Sequence, residues 1–150
     1  MMEKKIMSND ISKIDLLPVL KSDWDYILDL NQQFVKNYHV DSKPTEKQDH
    51  YNYMNKQKTN PNFHQWMIGL GEKKVGHVRI LENDVGIMID SKYQNKGIST
   101  IALQILEKKA KKLKIKKLVG VVRMDNLSSE KIFQKNNYKF IMKWYEKIIL

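Results

Sequence analysis

Apolar residues recur along this chain with more than one period, and the changes of period divide it into elements. The mixed apolar pattern near residues 11–18 reads as an edge strand that Pro18 ends, since proline has no N–H to give to a ladder. Trp24, Ile27, Leu28, Asn31, Phe34 and Val35 then follow at helical spacing to about Tyr38, with Ser22 placed to cap the helix. Thr45 and Gln48, three positions apart, have the form of a capping box; they open a second helix through Tyr51 and Met54 to about Lys58, and Asn60 and Pro61 break it.

From residue 63 the period shortens. Residues 63–70, 74–81 and 85–89 read as strands joined by turns at 71–73 and 82–84, an antiparallel meander. Ile98, Ile101, Ala102, Ile105, Leu106, Ala110 and Leu113 form the apolar face of a long amphipathic helix. Residues 115–123 read as a buried strand, 128–137 as a short helix, and 138–142 and 144–149 as a closing pair of strands. The order β-α-α-β-β-β-α-β-α-β-β predicts an α+β fold: a mixed sheet with helices packed on its faces.

No repeat, low-complexity tract or linker interrupts residues 1–150, so one domain is expected. At 41% hydrophobic and 29% charged residues the composition is that of a globular protein, and no stretch approaches the roughly 20 apolar residues of a membrane span. The N-terminus lacks the pattern of a secretory signal, which places the protein in the cytoplasm, and the sequence does not separate a monomer from a homodimer. With no cysteine and only scattered histidines, metal chemistry is not expected. The net charge of +10 attracts phosphate-rich partners of any kind without choosing among them. Lys108, Lys109, Lys111, Lys112, Lys114, Lys116 and Lys117 suggest a nucleic-acid-binding module. They have no interleaved aromatics for base stacking, and a charged helix face is usually just solvated.

Chemistry concentrates in residues 85–100, VGIMIDSKYQNKGIST: an apolar strand, a polar loop with one glycine, then a helix start. A loop entering a helix presents unpaired N–H groups and the positive end of the helix dipole, which suits a phosphate or pyrophosphate. Both the GxGxxG pattern and the GxxxxGK[ST] loop are absent, so neither a Rossmann nor a P-loop reading is supported. The run Gln94-Asn95-Lys96-Gly97-Ile98-Ser99 resembles the pyrophosphate-binding pattern of the GNAT N-acetyltransferase superfamily, Q/R-x-x-G-x-G/A, with Ser99 in the last small position. Downstream, VVRMDNLSSEKIFQKNNYKF resembles that family's strand-Asn-helix segment, with Asn126, Ser129, Ile132, Phe133, Lys135 and Tyr138 on its positions.

The resemblance implies acetyl-CoA as acetyl donor and a mostly antiparallel mixed sheet with helices on both faces. The sheet would splay between strands 85–89 and 115–122 to admit the pantetheine arm. The backbone of Ile87, Met88 and Ile89 would pair with the pantetheine amides, and the amides of Gln94, Asn95, Lys96, Gly97, Ile98, Ser99 and Thr100 would hold the pyrophosphate. Asn126, Ser129 and Phe133 would line the far wall. Transfer to an amine needs a proton acceptor and a proton source for the thiolate. Glu82 is the first candidate base, Asp84 the second. The family often has a tyrosine acid where this chain has Phe133, so Tyr138, Tyr93 or another tyrosine substitutes, or the thiolate leaves unaided, a thiol of pKa about 8.5 being a fair leaving group. The N-terminal half is similar to a subgroup that acetylates amino sugars on nucleotide carriers and to ribosomal-protein acetyltransferases. The expected acceptor is a nucleotide-linked amino sugar, with Asn31 and His50 toward it; a protein N-terminus or lysine, and a non-catalytic acyl-CoA-binding protein, remain as alternatives.

Overall fold

Strand pairing follows from the meander. In the computed structural model, which describes residues 12–37, 43–122 and 126–149, four strands lie in the order β1 (Ile14–Pro18), β2 (Phe63–Leu70), β3 (Lys73–Leu81) and β4 (Asp84–Ile89), each antiparallel to its neighbour. The predicted edge position of β1 and its end at Pro18 are both observed. Helices α1 (Trp24–Asn37) and α2 (Lys47–Gln57) precede the meander; α3 (Ile98–Lys112) and α4 (Leu127–Lys135) follow it. The expected strand start at residue 11, the helix end at Tyr38 and the strand end at residue 123 lie outside the described residues.

The alternation along β3 decides which face each helix takes. Val78 and Ile80 turn to one side, where Ala102, Leu103, Leu106 and Ala110 of α3 cover them in the main core. His77 and Arg79 turn to the other, beside Met67, Met88 and Gly86 by the strand register, under α1 and α2, where Trp24, Ile27 and Met54 pack on Met67. Helices therefore sit on both faces of the sheet, which is the α+β architecture the pattern implied.

Several local expectations fail. Ser22 does not cap α1: it lies in a 3₁₀ turn, Lys21–Asp23, and the buried Asp23 carboxylate instead takes the Leu20 N–H at 2.8 Å and pairs with Lys74. The capping box at Thr45 and Gln48 does not form, because Thr45 Oγ1 donates to Asn31 Oδ1 across to α1 and Gln48 bonds Asn52 within its own helix. The buried strand over 115–123 is reduced to one parallel bridge, Asp84 with Val119, and Val121 is 81% exposed. The closing pair of strands over 138–142 and 144–149 is absent, with Trp144 and Tyr145 83% and 86% exposed. Apolar alternation makes a segment able to be a strand; it does not supply the neighbouring edge that a ladder needs.

Candidate active site

The site begins where β4 parts from its outer neighbour. On one edge β4 pairs with β3 throughout, Gly76 opposite Ile89 and His77 opposite Met88. On the other it meets residues 115–122 once: Val85 N–H donates to Val119 O at 2.9 Å and Val119 N–H to Asn83 O at 2.8 Å. Beyond Val85 no further bridge forms among the described residues, so none of them pairs with Ile87, Met88 or Ile89 on that side. Main-chain groups at such an edge are satisfied by an extended, amide-bearing ligand.

The loop after β4 is tied down by side chains. Asp90 accepts from the Tyr26 hydroxyl of α1 at 2.8 Å and from Lys92 N–H at 3.2 Å, while Gln94 Nε2 donates to Ile89 O at 3.0 Å. Burial and the Asp90 carboxylate push the Tyr26 hydroxyl well above its ordinary range, so it stays a proton donor. Ser91 N–H donates to Gln33 Oε1, a second tie to α1. Gly97 has φ 80° and is the N-cap of α3, where it offers no side chain to the first-turn amides. A Cβ at Gly97 would meet no atom within 4 Å, so the space beside the turn is open and glycine is required by the backbone alone. Unpaired amides, an aligned dipole and open space together fit a pyrophosphate.

A cleft of about 480 Å³ runs along this edge. Ile87, Met88, Ile89 and all seven residues 94–100 line it, with Ser129 and Phe133 of α4 opposite and Lys96, Lys131 and Lys135 as cations. Ile98 is itself buried in the core, which leaves its backbone for the cleft. A second cavity of about 610 Å³ shares Phe34, Ile87, Met88, Ser129 and Phe133 with the first. Its polar lining includes Asn31 of α1, His50 of α2, Gln65 of β2, His77 and Arg79 of β3, Asp84 of β4 and Ser129 of α4. His77 Nε2 lies 2.9 Å from Gln65 Oε1, and burial, reinforced by the Arg79 charge, pushes its pKa down to about 3, so His77 is neutral. Arg79 Nη1 donates to both Asp84 O and Asp84 Oδ2 at 3.2 Å.

Residues 24–138 match the sequence profile of the Acetyltransferase (GNAT) family. The chain belongs to that family. No curated protein matches it closely. Among solved structures it is similar to a domain from Methanocaldococcus jannaschii DSM 2661, with 22% identity over 89% of this chain and 93% of that one and a TM-score of 0.77. It is also similar to the spermidine N-acetyltransferase of Vibrio cholerae solved with CoA and spermine, with 17% identity, 83% and 79% coverage and a TM-score of 0.72. A third is the microcin C7 self-immunity acetyltransferase MccE solved with acetyl-CoA and AMP, with 20% identity, 82% and 77% coverage and a TM-score of 0.65. At these identities the likeness is one of fold.

As a GNAT protein the chain is an N-acetyltransferase that uses acetyl-CoA, which supplies the acetyl group as a thioester. Its residues fit that donor: the free edge at Ile87 to Ile89 suits the pantetheine amides, and the turn at 94–100 suits the pyrophosphate. The second cavity, which meets the first at Met88 and Phe133, leaves room for an acceptor beside that donor. Asn31 and His50, expected toward the acceptor, both line this second cavity. Asn126 lies there too rather than in the donor cleft, with its Oδ1 engaged by Ser129 N–H at 3.1 Å as the cap of α4.

Neither proposed catalytic group reaches the junction. Glu82 sits exposed in the β3–β4 turn, held by Asn62 Nδ2 at 3.2 Å, and lines neither cavity. Tyr138 is packed edge-on against Phe133, with ring centroids 4.9 Å apart, and also lies outside both cavities; burial pushes its hydroxyl up to about 12. The second-choice base, Asp84, does line the acceptor side. The sequence reading passed over His77, Arg79 and Gln65 as candidates. The signal was there: His77 and Arg79 alternate with Val78 and Ile80, so one face of an otherwise apolar strand is polar. The lysines at 108–117 line neither cavity; Lys111 pairs with Glu107 and Lys109 lies over the Trp66 ring.

Proposed function

We propose that the acceptor is a primary amine on an anionic, nucleotide-linked carrier, an amino sugar of that kind being the best fit. The observation that carries this is the charge of the acceptor cavity. Among its described lining residues the one carboxylate, Asp84, is neutralised by Arg79 through Nη1 alone, so the cavity offers no spare carboxylate while the other guanidinium N–H groups of Arg79 remain to donate. A polyamine or a lysine-rich peptide brings additional cations, which this lining leaves unpaired. An arginine suits a phosphate by contrast. Asn31, Thr45 and Gln65 supply donors and acceptors for sugar hydroxyls, and Tyr53 and Phe63 supply flat surfaces. The MccE structure, which contains AMP as well as acetyl-CoA, is in keeping with a fold that accommodates a nucleotide.

Acetylation of UDP-glucosamine, glucosamine and spermidine, followed by CoA release, tests the reading. UDP-glucosamine is expected to exceed glucosamine in kcat/KM by at least about tenfold, and Arg79→Gln to remove most of that margin, about 1.4 kcal/mol, while KM for acetyl-CoA stays within twofold. A preference for spermidine would sink the proposal.

A further inference from the structure

We propose that His50 is the proton acceptor for the attacking amine. The inference rests on acetyl transfer to an amine and not on the identity of the acceptor. His50 lies on the buried face of α2, one turn before Met54, and lines the acceptor cavity. Its Nε2 is 2.8 Å from the main-chain oxygen of Trp24 at the start of α1. A carbonyl can only accept, so Nε2 must carry the hydrogen, and in the neutral ring Nδ1 is then the atom with the lone pair. The bond to Trp24 fixes both tautomer and ring plane. Nδ1 has no hydrogen-bond partner among the described residues, yet no buried side-chain nitrogen or oxygen there is left without one. Nδ1 is therefore not sealed in the core, and the space beside this ring is the acceptor cavity.

The competing groups are engaged. Asp84 is paired with Arg79. His77 faces Gln65 and is too weak a base to take a proton near neutral pH. Glu82 is outside the cavity. The charged and titratable groups around His50 are Asp25 on α1, Lys47, Tyr51 and Tyr53 on α2, and His77, Arg79 and Asp84 across the cavity.

In the reaction the amine nitrogen attacks the thioester carbonyl, the C–N bond forms and the C–S bond breaks. The proton shed by nitrogen goes to His50 Nδ1, and the imidazolium returns it to the departing thiolate or to water. Amine and thioester become amide and thiol, with no other reactant.

The test compares His50→Gln and His50→Ala with the unaltered chain. His50→Gln keeps a donor for the Trp24 carbonyl, so its thermal midpoint and acetyl-CoA affinity report that the fold survives. With UDP-glucosamine as acceptor, kcat is expected to fall at least a hundredfold in both variants, the acidic limb of the pH profile, where the rate rises as the base deprotonates, to disappear, and added imidazole to restore part of the His50→Ala activity. Where UDP-glucosamine is not turned over, slow hydrolysis of acetyl-CoA by water reads the same proton transfer without an acceptor. The failure of the acceptor proposal thereby remains distinct from the failure of this one. A folded His50→Gln that keeps a third or more of its rate with an unchanged pH profile, or a loss in both variants that imidazole does not touch, overturns the assignment.

Discussion

The two cavities that meet at Met88 are made of different material. One wall of the donor cleft presents main chain, the edge of β4, the left-handed turn at Asn95 and Gly97 and the first amides of α3, and residues of α1 and α4 form the other. The acceptor cavity draws on side chains, with His50, Gln65, His77 and Arg79, Asp84, and Asn126 brought from five separate stretches of sequence. Main-chain recognition tolerates side-chain change so long as the backbone conformation is kept, which suits a donor common to a whole family. Side-chain recognition changes with each substitution and suits an acceptor that differs between members. The contrast also separates what each half is sensitive to: the first to glycine and loop geometry, the second to charge and protonation.

Gly97→Val should break the donor side hardest. A β-branched residue at φ 80° costs about 1–2 kcal/mol of backbone strain and puts methyl groups where the pyrophosphate fits, so kcat/KM for acetyl-CoA should drop on the order of a hundredfold with the acceptor KM little changed. Equal loss on both substrates would erase the distinction between the cavities.

On the acceptor side, His77 should make stability depend on pH. Its folded pKa, about 3, lies below the 6.5 of the unfolded chain. The unfolded state therefore binds the proton first, and stability is lost as pH falls from about 6.5 toward 3. The loss amounts to about 2 kcal/mol by pH 5. His77→Gln should flatten that slope in denaturant titrations at pH 7 and pH 5, and an unchanged slope would mean the imidazole is not sequestered.

A smaller effect belongs to Tyr26→Phe, which removes the hydroxyl from Asp90 and should cost about 1 kcal/mol, a drop of a few degrees in the thermal midpoint, with acetyl-CoA binding weakened a few-fold because the Asp90 loop loosens. Smallest of all, Glu82→Gln and Tyr138→Phe should each change kcat less than about twofold, since neither side chain lines a cavity. A tenfold loss in either would return it to the chemistry.

How much of this was legible beforehand follows from the range of the interactions involved. The helices and the meander were readable, because amphipathic periods of 3.6 and 2 express burial that repeats every few residues. The turn was readable for the same reason: strand end, left-handed glycine and helix start are neighbours in sequence, and Ile87 to Ile89 with residues 94–100 line one cleft. Glu82 looked well placed because it immediately precedes β4. A turn residue's direction, however, is set by local backbone, and Glu82, at φ 57°, points to Asn62. Tyr138 looked like a spare acid near Phe133, and it is near, as a packed ring. Residues 138–149 carry a strand pattern without a partner edge.

The sequence by itself determined the helices, the meander, the strand-to-helix turn at 94–100 and the family, all of which depend on groups a few positions apart. Only the tertiary structure decided which polar side chains share the acceptor cavity, that Arg79 neutralises Asp84, and that the Trp24 carbonyl orients His50. Residues 24 and 50, or 65 and 77, meet because α2 and the sheet pack on a common core, and the free energy of that packing is spread over the whole fold rather than written in any local pattern.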